Sequence, residues 1–256
     1  MSNLTISELW CEYATNPLGL DNPKPRFTWQ LAAAERNQMQ SGFQVVVASS
    51  KENLDRNIGD RWDSGRVISD ASVNVPYEGI PLVSGEQCYY NVRVWDGEGE
   101  ASEVSETSTF EMGLLKPGNW SGQWIQGPSE KAAPLLRKEF TVGKPVSSAR
   151  VYISGLGLYE LIHQRRTYWR TGARPRALVP YISHDVTTRM IAGQNAIAVT
   201  LGNGWYRGLK EQHYRFSDSL ALLQQLNITY DDGTTEVFHS DESWRASTGP
   251  IIHNSL

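Results

Sequence analysis

Apolar and polar residues alternate at period two along almost the whole chain, while the 3.6-residue period of an amphipathic helix is nearly absent. This pattern predicts an all-β protein. Phe43, Val45 and Val47 fall on one face of a predicted strand, and Tyr90, Val92 and Val94 on one face of another. Asp96-Gly97-Glu98-Gly99 then supplies the turn. Farther on, Ala149, Val151 and Ile153 alternate, as do Ile197, Val199 and Leu201, and then Leu222, Leu226, Ile228 and Tyr230. Asp231-Asp232-Gly233-Thr234 followed by a strand-like Thr235 to His239 reads as a hairpin. Residues 32–36 have helical propensity but neither a cap nor an apolar stripe, so a loop is expected there.

Pro117 and Gly118 punctuate the chain just before the aromatics Trp120 and Trp124. They divide 256 residues into expected domains 1–115 and 118–256, each long enough for its own sandwich core. A composition that is 39% hydrophobic and 10% aromatic excludes intrinsic disorder. No segment approaches the roughly 20 apolar residues of a membrane span, and Met1 to Glu8 lack the charged and apolar parts of an export signal, so a cytoplasmic location is expected. With 24 Lys and Arg against 28 Asp and Glu the charge is −4, which offers no global field for nucleic acid or a membrane surface; neither is an expected partner. Cys11 and Cys88 form no Cys-x-x-Cys pair and are expected to be thiols.

Catalytic signatures are missing. There is no Gly-x-Ser-x-Gly, no His-Glu-x-x-His and no glycine-rich phosphate loop ahead of a helix. Gly155-Leu156-Gly157 follows a strand but lacks the third glycine of a dinucleotide site. The histidines at 163, 184, 213, 239 and 253 are scattered, so no metal set is expected. Glycoside hydrolysis needs two opposed carboxylates, whereas the acids here crowd into turns. No catalytic residue is therefore assigned. Nine Trp and eleven Tyr are an excess that suits carbohydrate recognition, since rings stack on sugar C–H faces, but sandwich cores use the same rings. The densest candidate is Leu201-Gly202-Asn203-Gly204-Trp205-Tyr206-Arg207-Gly208, which reads either as a binding loop or as a sandwich corner whose Trp packs on the neighbouring domain.

Several stretches carry a resemblance. Cys11-Glu12-Tyr13, Asn16 to Asp21, Pro25-Arg26-Phe27-Thr28-Trp29, Trp62-Asp63-Ser64-Gly65-Arg66 and Tyr89 to Asp96 resemble the N-terminal part of bacterial α-L-rhamnosidases. Ser154 to Leu161, Leu201 to Tyr206 and Ser240-Asp241-Glu242-Ser243-Trp244 continue it in the family's order. The resemblance implies a fibronectin type III-like sandwich, with Leu82 and Tyr89-Tyr90 similar to a tyrosine corner, followed by a jelly-roll-like domain related to rhamnose-binding modules. It also implies that the acidic residues that protonate the leaving oxygen and activate water lie in an (α/α)6 barrel that this chain does not contain, so no hydrolysis is expected from it alone. A rhamnose-containing glycan is the expected partner. Asn195, Asn203, Trp205 and Tyr206 are the expected sugar contacts. No cofactor is expected; the resemblance allows calcium, but no residue set here supports it. The rival reading is a non-enzymatic carbohydrate-binding or structural sandwich module.

One segment departs from the family. Between Glu160 and Asp185 stand five arginines and no acid. A basic anion-binding loop is one reading. A compensated frameshift explains more: read one nucleotide later, the codons from His163 to Arg176 admit Ile-Asn-Gly-x-x-Ile-Gly-Glu-Arg-Val-Leu-Ala-Pro-Gly, the family's course. A strand and its turn are then expected to give way, exposing a sheet edge.

Overall fold

The computed structural model describes residues 2–128, 133–163, 166–169, 179–204, 206, 219–248 and 251, with backbone alone for 166–169. The chain divides into two units at Asn119 and Trp120. In the first, the strands are β1 (Leu4–Cys11), β2 (Arg26–Ala33), β3 (Gln40–Ala48), β4 (Trp62–Asp63), β5 (Val67–Ile68), β6 (Val75–Pro76), β7 (Gln87–Asp96) and β8 (Ser108–Glu111), with a short helix α1 (Lys51–Asp55). One sheet runs β1-β2-β6; the other runs β4-β3-β7-β8, with β5 also paired to β3. The alternating faces close on each other. Phe27 and Trp29 of β2 share a core with Phe43, Val45 and Val47 of β3 and with Tyr90, Val92 and Val94 of β7. Burying a polar atom in that core requires a partner. Trp29 Nε1 accordingly donates to Gln40 Oε1 at 2.9 Å, and Gln40 Nε2 donates onward to the Ser69 and Ala71 carbonyls.

Helix α1 escapes the periodicity because it is only five residues long. It starts where the Ser50 hydroxyl accepts from the Asn53 N–H at 3.1 Å, an N-cap, and it lays Leu54 on Val46 and Ala48, the back face of β3. The tyrosine corner also falls elsewhere than expected. Among the described residues the Tyr89 hydroxyl reaches only Gln87 Oε1, at 3.4 Å, and neither it nor Tyr90 ties back to an earlier carbonyl. Tyr77 does so instead: its hydroxyl donates to the Ile80 carbonyl at 2.7 Å, with the Arg61 carbonyl at 3.0 Å. Tyr77→Phe should lower the unfolding free energy by about 1–2 kcal/mol, read from the urea midpoint, whereas Tyr89→Phe should leave that midpoint in place.

The second unit holds β9 (Ile125–Gln126), β10 (Pro134–Val142), β11 (Val146–Leu156), β12 (Leu158–His163), β13 (Arg166–Trp169), β14 (Ile182–Asp185), β15 (Gly193–Gly202), β16 (Ala221–Tyr230), β17 (Thr235–His239) and β18 (Arg245–Thr248). One sheet runs β13-β12-β15-β10-β18 and the other β14-β11-β16-β17, with β9 on β16. Val151 and Ile153 of β11, Leu161 of β12, Val199 and Leu201 of β15 and Leu222, Leu226 and Ile228 of β16 build its core. The predicted hairpin is present, with β17 antiparallel to β16. The expected loss of a strand after residue 163 is not seen. Arg166–Trp169 pairs antiparallel with β12 and forms the edge of its sheet. The rest of the arginine-rich stretch, 164–165 and 170–178, lies outside the described residues.

Candidate functional site

The corner after β15 is built by packing two turns backbone to backbone. Leu158 stands opposite Gly202, and Tyr159 opposite Leu201, so the turn between β11 and β12 lies against the start of the candidate loop. Gly157 there has φ of 118°, and a Cβ on it would lie 2.4 Å from the Gly202 carbonyl oxygen and 2.7 Å from Leu220 Cδ2. Gly204 is the reciprocal case. Its φ is 48°, and a Cβ would lie 2.7 Å from Leu158 Cγ. The glycines of both motifs are therefore needed for the approach of the two turns.

Within this corner Tyr206 turns inward; it is 8% exposed and joins the core cluster of Tyr159, Leu201 and Leu220. Asn203 is half-buried at the rim. Trp205 lies outside the described residues. Asn195 belongs to the opposite end of β15, eight residues away, or about 26 Å along an extended strand. Its carboxamide closes the turn into that strand: Nδ2 donates to the Ile191 carbonyl at 2.7 Å and the Gly193 carbonyl at 3.0 Å, and Oδ1 accepts from the Ile191 N–H at 3.2 Å. The structure thus does not bring Asn195 together with Asn203. Asn195 and Tyr206 serve the sandwich itself. Among the described residues no group of three or more His, Cys, Asp or Glu side chains converges.

The stretches that carry the resemblance are ties of the fold. Glu12 holds Arg26 through Nε at 3.0 Å and Nη2 at 2.7 Å, and accepts from the Arg26 N–H and the Asn22 amide. Tyr13 lies under that guanidinium, 5.2 Å from ring centre to Cζ. The Arg26 partnership holds the Glu12 carboxyl below the usual carboxylate range. Asn16 Oδ1 accepts from the Thr109 N–H at 2.8 Å, pinning the 16–20 segment to β8. Ser64 Oγ accepts from the Val45 N–H, and Arg66 stacks on Trp95. In the second unit Ser240 is fully buried. Its hydroxyl donates to the Gln123 carbonyl at 2.6 Å and accepts from the Gln224 N–H at 3.0 Å, while Trp244 Nε1 donates to the His239 carbonyl.

Two tandem β-sandwiches, the first of immunoglobulin type with sheets of three and five strands and the second of jelly-roll type with two sheets of five, define the architecture among the described residues. The family comparisons agree with both halves. Residues 6–116 match "Rha78A-like, N-terminal immunoglobulin domain", and residues 144–256 match "Alpha-L-rhamnosidase N-terminal domain". The chain belongs to the α-L-rhamnosidase family, as its N-terminal region. An α-L-rhamnosidase of Formosa agariphila is 35% identical across 97% of this chain, which spans 29% of that relative. One from Streptomyces avermitilis is 44% identical over 435 aligned positions, covering all of this chain and 42% of the relative. Among solved structures, the α-L-rhamnosidase from Dictyoglumus thermophilum superimposes with a TM-score of 0.87 at 38% identity, over 98% of this chain and 30% of that one. The Streptomyces avermitilis α-L-rhamnosidase complexed with L-rhamnose gives a TM-score of 0.92 at 25% identity, over 99% and 42%.

Proposed function

We propose that these 256 residues are the leading, non-catalytic part of a glycosidase that releases terminal L-rhamnose, and that they support its catalytic part and contribute contacts to rhamnose-containing glycans. What carries this reading is the near-complete overlay of both units on the front of solved α-L-rhamnosidases. Rhamnose contact is assigned to the rim of the Gly202–Gly204 corner, where half-buried Asn203 stands in a tight backbone. The test is direct. The purified 256 residues should not turn over an aryl α-L-rhamnoside, and should be retarded on a rhamnoglycan-containing native gel. Asn203→Ala should abolish the retardation while shifting the melting temperature by less than about 3 °C. Turnover by the chain would sink the accessory reading, and an unchanged retardation would sink the assignment to Asn203.

One observation favours the rival, a purely structural module: Asn195 and Tyr206, expected to contact sugar, are committed to turn and core. On that reading Asn203→Ala changes stability and nothing else.

A further inference from the structure

The outer edge of the β10–β18 ladder carries an arrangement that the fold does not need. Arg137 of β10 and Arg245 of β18 stand directly opposite each other in register. Like charges in such a pair destabilise a sheet. Together with Lys138, Glu139 and Ser243 they line a recess of about 170 Å³. The surroundings neutralise only part of this charge. Glu139 Oε1 holds Arg137 Nη2 at 2.7 Å on the open face, with half of each side chain in solvent. The Lys138 ammonium donates to the Ser243 hydroxyl and lies 3.9 Å from Asp241 Oδ1. Among the described residues Arg245 has neither an ion pair nor a hydrogen bond from its guanidinium. Three cations thus meet two carboxylates around the recess, Glu139 and Asp241, and the guanidinium left over, Arg245, faces that of Arg137.

We propose that this recess is an oxyanion subsite that takes the sulfate or carboxylate group of a charged sugar, an inference that rests on the glycan-binding reading above. A planar guanidinium offers two parallel N–H donors to two oxygens of such a group, which a neutral sugar cannot match. An anion between Arg137 and Arg245 converts their repulsion into two attractions, and the volume suits one sugar-sized substituent. Lys138, held by Ser243 and offset by Asp241, borders the recess.

The experiment uses the whole 256-residue chain, its amides followed by two-dimensional NMR at constant ionic strength in chloride. Sodium sulfate, sodium glucuronate and methyl α-L-rhamnoside are titrated separately. Sulfate or glucuronate should give saturable shifts confined to residues of β10, β18 and 241–244, and Arg245→Gln or Arg137→Gln should weaken them about tenfold. Lys51→Gln, which removes a cation from the exposed Lys51–Asp55 pair, serves as the charge control and should change the affinity less than about twofold. In chloride alone Arg245→Gln should raise the melting temperature by about 1–3 °C, a gain that saturating sulfate removes. A response to sulfate alone assigns a sulfate ester; a response to both assigns the charge itself. Absence of saturable shifts, or an equal loss in Lys51→Gln, overturns the subsite. If the rhamnoside binds elsewhere while both anions are silent, the subsite falls and the glycan reading stands; if the anions bind and the rhamnoside does not, the reverse holds.

Discussion

Gly157→Ala should destabilise the second unit by about 3 kcal/mol or more, because two penalties coincide at one Cβ. The φ of 118° lies where side chains are strained, and the added carbon meets a carbonyl oxygen, which cannot swing aside as a side-chain tip can. Gly193→Ala separates the two. That glycine also has a positive φ, of 90°, but nothing lies within 4 Å of its Cβ position, so only the conformational penalty of about 1 kcal/mol remains. Urea titration followed by hydrogen exchange should show faster exchange across β11, β12 and β15 in Gly157→Ala, with protection in β3 and β7 retained. Equal losses for the two variants would mean that the turn-on-turn contact is not what requires Gly157.

His163→Ile should stabilise the chain, and by more in acid than at neutral pH. His163 follows Tyr159 and Leu161 on the inward face of β12; it is 0% exposed, and neither ring nitrogen has a hydrogen-bond partner among the described residues. Burial, with the Arg189 charge adding to it, depresses its pKa from 6.5 to about 4. A histidine with a lowered folded pKa is protonated first in the unfolded chain, so stability is full above about pH 6.5 and drains away as the pH falls toward 4. At pH 5 that loss is about 2 kcal/mol, and it approaches about 3 kcal/mol below pH 4. Isoleucine has nothing to protonate and leaves no buried nitrogen unpaired, which adds about 1–3 kcal/mol at pH 7. The gap in unfolding free energy between variant and parent should therefore widen by about 2 kcal/mol between pH 7 and pH 5. A gap that stays constant with pH would show that His163 is not buried neutral. Isoleucine is also what the codons admit at this position when read one nucleotide later. Resequencing the gene across this stretch tests that origin; DNA that cannot be retranslated so would refute the frameshift.

Most of the fold was legible, because two-sided sandwiches write themselves as alternation. The faces around Val45, Val92, Val151 and Val199 close as the pattern requires. What escaped was short or remote. Helix α1 is below the length at which a period can be counted, and its signal was the Ser50 cap ahead of Leu54. The corner tyrosine is set by where a hydroxyl meets a carbonyl 16 residues upstream, a distance that adjacent tyrosines such as Tyr89 and Tyr90 do not reveal. The site was legible only in part. Three glycines announced a tight corner, but whether Tyr206 faces sugar or core depends on the path of the turn, and composition is silent on that. Asn195 carries an amide that suits a sugar hydroxyl, yet an amide two residues into a strand is as well suited to closing the preceding turn. The opposed Arg137 and Arg245 were not found, since a cross-strand pair 108 positions apart exists only once register is known.

Both thiols of the chain, Cys11 and Cys88, lie at 0% exposure in the first sandwich, free of any disulfide, and burial pushes the Cys88 thiol up to about 12 and raises that of Cys11 as well. Only the thiolate attacks an alkylating or disulfide reagent, so neither sulfur reacts until that sandwich opens. The chain thus carries a built-in chemical clock for one half of itself: the labelling rate reports opening of the first unit alone, whatever the second is doing. Once folded, this half holds both sulfurs out of reach of oxidants and reductants alike until it opens.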